Sequence, residues 1–200
     1  MPSGGHRPQK QRGLVFYNTT MAELPSLAAW ENFYVILGSS AAALIGLQFV
    51  VITLIAETRA RASIHSIRAF GTSTIVNFSG ALLLSAVMSM PWPSLHAVSV
   101  ALALCAAAHL GYGVVGLHGA RRQTEYKPTW DDWLWFVIAP AALHVVVLVA
   151  AFQLPGSAIA PLFWIAAAAL GLLFVGIRNA WDTVTYLIVT ARHGQNDKAG

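Results

Sequence analysis

Hydrophobic residues gather into five long stretches along the chain, and short polar connections separate them. The stretches cover residues 32–56, 73–90, 95–120, 133–153 and 160–181. An α-helix rises about 1.5 Å per residue, so about 20 residues cross the ~30 Å hydrocarbon core of a membrane. The pattern therefore predicts an all-α protein, a polytopic transmembrane bundle of five helices.

The boundaries of these stretches divide the chain into three parts. Residues 1–25 form a polar tail, residues 26–193 the five-helix domain, and residues 194–200 a second polar tail. The helical pattern of the last stretch continues to about His193, which makes that helix longer than a bilayer is thick. Its end, over residues 177–193, has one apolar and one polar face. Such an amphipathic extension favours contact with a partner protein or a lipid surface.

Composition supports the membrane interpretation. Hydrophobic residues make up 56% of the chain, charged residues only 10%, and the mean hydropathy is +0.61. A soluble domain carries about a quarter charged residues. The net charge of +4 would suit nucleic acid, but the cations lie beside the membrane edges, where anionic lipid accounts for them. We therefore expect the lipid bilayer, and no nucleic acid, as a partner.

The distribution of Lys and Arg predicts the orientation. Of the 12 cationic residues, three lie in the N-terminal tail and nine lie in connections 57–70 and 121–132 or from residue 178 onward. Connections 91–94 and 154–159 have none. Cytoplasmic loops carry the excess of cations, so the N-terminus is expected outside and the C-terminus in the cytoplasm. Tryptophans at both ends of the stretches agree: Trp30, Trp92 and Trp164 outside; Trp130, Trp133, Trp135 and Trp181 inside.

Small residues recur at four-residue spacing in the first, second, third and fifth stretches. Among them are Gly38, Ala42 and Gly46 in the first, and Ala107 and Gly111 in the third. Helices in a membrane associate where small residues let their backbones come close. We interpret these residues as contacts inside the bundle, with a homodimer face as the alternative.

Two histidines lie near the middle of neighbouring stretches, His109 in the third and His144 in the fourth. They could face each other, and Pro140, one turn before His144, is expected to kink its helix. Ionisable groups at this depth are costly and often mark proton or ion pathways. Three interpretations stay open: neutral structural histidines, a proton or ion pathway, and axial ligands of one b-type haem. Two histidines without a carboxylate do not predict a metal site.

Two further polar groups are of interest. Gln48 and Asn77 lie at similar depth in the first two stretches, where they are expected to form an interhelical hydrogen bond or line a pore. A charged cluster is expected at the cytoplasmic edge. Its members are Glu57, Arg59, Arg61, Arg178 and Asp182.

No pattern of an enzyme is present in the sequence. It contains no HExxH, no phosphate-binding loop, no dinucleotide-binding fingerprint and no nucleophile elbow. The single cysteine, Cys105, cannot form an intrachain disulfide. We therefore expect a protein that is not an enzyme and that needs no cofactor unless the haem interpretation holds.

Two segments carry a family resemblance. SSAAALIGLQFVVITL (39–54) and GIRNAWDTVTYLIV (176–189) resemble segments of small, uncharacterised multi-pass proteins of the bacterial inner membrane. The resemblance implies a location in that membrane, and it transfers no activity and no site residues.

Three functions follow as hypotheses. The first is a small oligomeric channel or transport component of unknown substrate, working as a homo-oligomer or with a membrane-protein partner. The alternative is a membrane scaffold or regulatory subunit that docks a partner through the C-terminal helix. The third is a redox protein with a single b-type haem.

Overall fold

A computed structural model describes residues 25–57, 64–120 and 129–196. A short helical turn, Pro25–Ala28, precedes five long helices. These are α1 (Glu31–Glu57), α2 (Ile64–Met88), α3 (Leu95–Ala120), α4 (Trp130–Gln153) and α5 (Ile159–Asn196). The described residues contain no strand, and the all-α five-helix fold expected from the sequence is confirmed.

Four of the helices are long and apolar enough to cross a membrane. Their apolar spans are Glu31–Thr53, Leu95–Gly116, Trp130–Gln153 and Ile159–Thr185. The apolar part of α2, Thr72–Met88, is shorter. By length and composition the chain fits a multi-pass membrane protein.

Two helix boundaries differ from those expected. Helix α2 begins at Ile64 rather than at residue 73, because its first two turns carry polar residues that hydropathy does not assign to a span. Helix α5 continues to Asn196, past the expected end at His193. Residues 1–24, which include most of the predicted N-terminal tail, lie outside the described residues, as do residues 197–200.

Helix α5 is the central element of the bundle. In the apolar 18-residue window of α5, 56% of the residues are buried, against 22% in the corresponding windows of α1, α3 and α4. It packs along both α2 and α4, while α1 lies against α2 and α3 against α4. Helices α2 and α3 touch over a shorter length, as do α1 and α5.

Glycines bring the backbones of α2, α4 and α5 together. A Cβ atom on Gly176 of α5 would lie 2.5 Å from the ring of Phe78 on α2. A Cβ atom on Gly171 would lie 2.9 Å from a methyl group of Leu143 on α4. Close packing is the main source of helix association in lipid, and a larger residue at either position would have to displace the side chain of Phe78 or Leu143.

Contacts at the ends of the bundle agree with the grouping of tryptophans. Trp30 at the start of α1 packs edge-to-face on Phe163 at the start of α5, with 4.7 Å between ring centroids. Arg178, far along α5, contacts Asp131 at the start of α4. The expected outer tryptophans therefore share one end of the bundle with Phe163, and the opposite end carries the charged groups.

The small residues singled out in the sequence fall into two groups. Gly38 packs against α2, where an added Cβ would lie 3.0 Å from the Cβ of Ser85. The other four, Ala42, Gly46, Ala107 and Gly111, are exposed on the outside of the bundle. For these four the interpretation as contacts inside the bundle is wrong. Residues spaced four apart share one face of a helix. Because alanine is so frequent in this chain, the spacing alone does not show which face is buried.

The close approach at Gly176 generates a first prediction. We expect Gly176→Ala to destabilise the bundle by about 1–3 kcal/mol, because the added methyl group overlaps the Phe78 ring. The measurement is reversible unfolding of the purified protein in mixed micelles. Gly46→Ala is the matched control, since no atom lies within 4 Å of its added Cβ. Equal stability of the two variants would contradict the described packing of α2 on α5.

Candidate functional site

The two intramembrane histidines form a stacked pair in the middle of the bundle. The rings of His109 on α3 and His144 on α4 lie 4.6 Å apart between centroids, with an angle of 15° between their planes. His144 is buried, with 4% of its surface exposed, while His109 is partly exposed. The structure thus brings together the two residues that the sequence predicted could face each other.

Backbone carbonyls determine which ring nitrogen of each histidine carries the proton. Nδ1 of His109 lies 3.0 Å from the carbonyl oxygen of Cys105, and Nδ1 of His144 lies 2.8 Å from that of Pro140. A carbonyl oxygen only accepts hydrogen bonds, so Nδ1 donates in both rings. In the neutral pair both Nε2 atoms therefore carry a free lone pair. Nε2 of His144 is buried and has no hydrogen-bond partner among the described residues.

A glycine on α2 leaves space beside both Nε2 atoms. A Cβ atom on Gly80 would lie 3.4 Å from Nε2 of His109 and 3.4 Å from Nε2 of His144. Leu172 of α5 lies on the same side, 3.5 Å from that position. The pair is thus located where α2, α3, α4 and α5 meet. The sequence analysis did not single out Gly80, although a glycine at the depth of two histidines is a usable signal.

The predicted partners Gln48 and Asn77 are both buried, with 5% and 2% of their surfaces exposed. Nδ2 of Asn77 has no hydrogen-bond partner among the described residues, so Asn77 does not donate a hydrogen bond to Gln48. Asn77 precedes Gly80 by three residues, about one turn of α2. Its Nδ2 is therefore an unsatisfied donor close to the histidine pair along the helix.

The kink expected at Pro140 takes the form of a π-helical turn, Leu134–Ile138, within α4. The N–H of Ala139 donates to the carbonyl of Leu134, five residues earlier. The next hydrogen bond of this pattern would run from the N–H of residue 140 to the carbonyl of Trp135. Pro140 has no N–H and cannot donate it. Asn179 of α5 supplies the missing donor, with 3.2 Å between its Nδ2 and the Trp135 carbonyl oxygen. This interhelical bond fixes the part of α4 that precedes His144.

The charged cluster at the end of the bundle that carries Arg178 differs in membership from the expected one. Arg178 pairs with Asp182, as the sequence suggested, and also with Asp131, at 2.8 Å. Its guanidinium lies 4.5 Å from the centroid of the Trp135 ring. Asp131 is not among the residues expected in this cluster, and the capping box at the start of α4 is formed by Thr129 and Asp132.

Solvent exposure limits what this cluster contributes. The side chain of Arg178 is 33% exposed, so each of its ion pairs contributes about 0–1 kcal/mol. Of the other expected members, Arg59 and Arg61 lie outside the described residues, and the side chain of Glu57 does so too. The cluster therefore links the start of α4 with α5 but contributes little to stability.

The geometry of the histidine pair does not fit a haem. An iron held between two imidazole nitrogens, each about 2 Å away, places the ring centroids roughly 6 Å apart on opposite sides of the metal. The observed rings are stacked 4.6 Å apart, with both Nε2 atoms beside Gly80. In the described part of the chain, no three His, Cys, Asp or Glu residues are grouped to hold a metal ion.

Comparison with protein-family models, with curated proteins and with solved structures finds no match for this chain. The function therefore has to be argued from the geometry of the site.

The bond from Asn179 generates a second prediction. We expect Asn179→Ala to lower the free energy of unfolding by about 1–3 kcal/mol, because the carbonyl of Trp135 then has no donor. Unfolding in mixed micelles is the measurement. Ser40→Ala is the control, since that hydroxyl bonds only within its own helix. A loss no larger than that of the control would show that the π-helical turn does not depend on Asn179.

Proposed function

We propose that the protein is a membrane transport component in which the His109–His144 pair binds a proton. The observation that supports this most directly is the pair of bare Nε2 atoms beside Gly80, one of them buried and unpartnered. An unsatisfied polar atom in a packed interior is costly, and in membrane proteins such atoms are retained mainly at functional sites.

The stacked arrangement determines how much charge the pair can hold. Two imidazolium rings 4.6 Å apart in a medium of low dielectric constant would repel each other strongly. The pair therefore takes up one proton at a time, on either of two neighbouring nitrogens. Such a site can receive a proton on one side and release it on the other without moving the helices far.

Buried polar side chains lie mainly on one side of the pair. Toward the end that carries Arg178, the interior contains Thr74 and Asn77 of α2, Asn179 and Thr183 of α5, and Gln48 of α1. Toward the other end the buried hydroxyls of Ser85 and Ser99 bond to backbone carbonyls. We propose that this group of side chains, the polar track, conducts protons between the inner end of the bundle and the pair.

Location and assembly are part of the same proposal. We infer a bacterial inner-membrane protein with its N-terminus outside and its C-terminus in the cytoplasm, from the distribution of cations. The outward-facing Gly46 and Gly111 would allow close contact with a second copy, so a homo-oligomer is proposed.

A second function is supported by the length of α5. The helix runs from Ile159 to Asn196, 38 residues, which at about 1.5 Å per residue exceeds the ~30 Å hydrocarbon core of a bilayer. A helix that projects from the membrane in this way can dock a partner, as a scaffold or regulatory subunit does.

Proton flux tests the leading proposal. The protein is reconstituted in liposomes that contain a pH-sensitive dye, and a potassium diffusion potential drives protons across the membrane. We expect His144→Ala and His109→Ala to reduce the flux by at least about tenfold, since each removes one of the two proton acceptors. Gly80→Ala is expected to reduce it as well, because its methyl group covers both Nε2 atoms.

His96→Ala is the matched control, because His96 is exposed near the outer end of α3 and is expected to leave the flux unchanged. Flux equal to the parent protein in both His109→Ala and His144→Ala would overturn the proposal.

Removal of residues 186–200 separates the two functions. The transport proposal expects the shortened protein to retain proton flux, because the pair and its polar track remain. The docking function instead expects the shortened protein to keep its helical signal in circular dichroism and to lose the co-purification of a partner that the full chain shows.

A further inference from the structure

Three buried polar atoms on α2, α4 and α5 have no hydrogen-bond partner among the described residues. They are Nδ2 of Asn77, Nε2 of His144 and Oδ1 of Asn179. The three residues are 2%, 4% and 0% exposed, in the same order. Because a buried polar atom without a partner destabilises a fold, several of them in one region of the interior indicate a ligand that satisfies them together.

Asn77 and His144 lie about one helical turn apart in depth. A Cβ atom on Gly80 would lie 3.4 Å from Nε2 of His144, so this nitrogen faces α2 at Gly80. Asn77 precedes Gly80 by three residues, which places it about 4.5 Å away along α2 and on a neighbouring part of the same face. An unsatisfied donor and an unsatisfied acceptor are thus close to each other.

Asn179 approaches the same region from α5. Its helix meets α2 where Gly176 packs against Phe78, the residue next to Asn77. Asn179 follows Gly176 by three residues, again about one turn. Its Nδ2 donates to the carbonyl oxygen of Trp135 on α4, so the side chain lies between α4 and α5. The three unpartnered atoms therefore surround the region where α2, α4 and α5 meet.

Both acceptors are held in place by a second hydrogen bond. Nδ1 of His144 lies 2.8 Å from the carbonyl oxygen of Pro140, and Nδ2 of Asn179 lies 3.2 Å from that of Trp135. Neither group can turn toward Asn77 without losing the bond that it already makes. A small molecule between the three side chains satisfies all of them without that loss.

The three atoms determine the chemistry of this molecule. Nδ2 of Asn77 donates a hydrogen bond, whereas Nε2 of His144 and Oδ1 of Asn179 each accept one. The ligand therefore has to accept once and donate twice, and water does both. An ammonium or metal ion has no acceptor for Asn77, and chloride has no donor for the other two groups.

Close packing determines the size of the molecule. An added Cβ atom on Gly80 would already be in contact with Nε2 of both histidines, and it would lie 3.5 Å from a methyl group of Leu172. The space beside the His144 ring thus suits a ligand with a single heavy atom. A water molecule has this size.

We propose that one water molecule binds where α2, α4 and α5 meet, accepting from Nδ2 of Asn77 and donating to Nε2 of His144 and Oδ1 of Asn179. The role of this water rests on the proposed function, since it connects the polar track with the histidine pair. Buried waters commonly make about three hydrogen bonds of this kind to polar groups that the protein leaves unsatisfied.

Solid-state NMR of the protein in bilayers of deuterated lipid tests the proposal, through transfer of magnetisation from water protons. We expect the signals of the Asn77 side-chain amide and the His144 ring to build up several-fold faster than those of the Leu102 methyl groups. Leu102 is the reference because it is fully buried as well. Build-up at Asn77 and His144 as slow as at Leu102 would overturn the proposal.

Asn77→Leu tests whether the amide holds the water, because leucine has a similar shape and no donor. The rapid build-up at His144 should then be lost. Ser85→Ala is the matched control and should retain it, since that hydroxyl bonds within its own helix. Rapid build-up at His144 in Asn77→Leu would also overturn the proposal. The comparison with Leu102 is made in the parent protein and does not depend on the folding of a variant.

The two proposals fail in different ways. If proton flux depends on His109 and His144 but no water signal reaches Asn77, the transport function stands and the water site falls. If the water is present while the flux is independent of both histidines, the water site stands and the pair is not the proton pathway.

Discussion

Hydrocarbon offers no hydrogen bonds, and this constraint shapes the whole molecule. Each backbone N–H and C=O within the membrane has to find a partner inside the protein, which leaves helices as the available form. Helix α4 departs from regular α-helical geometry before Pro140. There the side-chain amide of Asn179 on α5 donates a hydrogen bond to the carbonyl of Trp135. Ser99 of α3 similarly donates to the carbonyl of Ala151 on α4, at 2.6 Å. Interhelical bonds of this kind hold the helices in the positions that bring the histidines together.

Some buried side-chain atoms do not follow this rule and have no hydrogen-bond partner among the described residues. Four buried side-chain atoms in the described residues lack a partner: Tyr34 Oη, Asn77 Nδ2, His144 Nε2 and Asn179 Oδ1. Three of them lie at the histidine pair or between it and the end of the bundle that carries Arg178. Because such groups destabilise a bundle that could have placed Leu or Ala there, their grouping favours a function in proton transfer over a purely structural role.

The five helices could be predicted from the sequence because hydropathy alone defines spans of this length. Apposition of His109 and His144 could also be anticipated, from their depth in two helices joined by a short connection. The position of Gly80 beside the histidines could not be predicted. It depends on how α2 is turned about its own axis relative to α3 and α4, and the packing around Phe78 and Gly176 determines that orientation. The ion pair of Asp131 was missed for a related reason. Its partner, Arg178, is 47 residues away, and no local pattern links them.

The small residues illustrate a similar limit. Gly38 and Gly46 each lie four residues from Ala42. Gly38 nevertheless packs on Ser85, whereas Gly46 faces outward. A helix surrounded by lipid is apolar on all sides, so hydrophobicity does not reveal its buried face. Only the contacts of the assembled bundle distinguish the two.

The central claim is that two neutral imidazoles stack at the centre of the bundle with both Nε2 atoms bare. Solid-state NMR of the protein in bilayers, with ¹³C- and ¹⁵N-labelled histidine and only His109 and His144 retained, measures this directly. The account predicts a ring-to-ring cross-peak between the two residues and nitrogen shifts of the Nδ1–H tautomer for both. Absence of the cross-peak, or an Nε2–H tautomer in either ring, would contradict it.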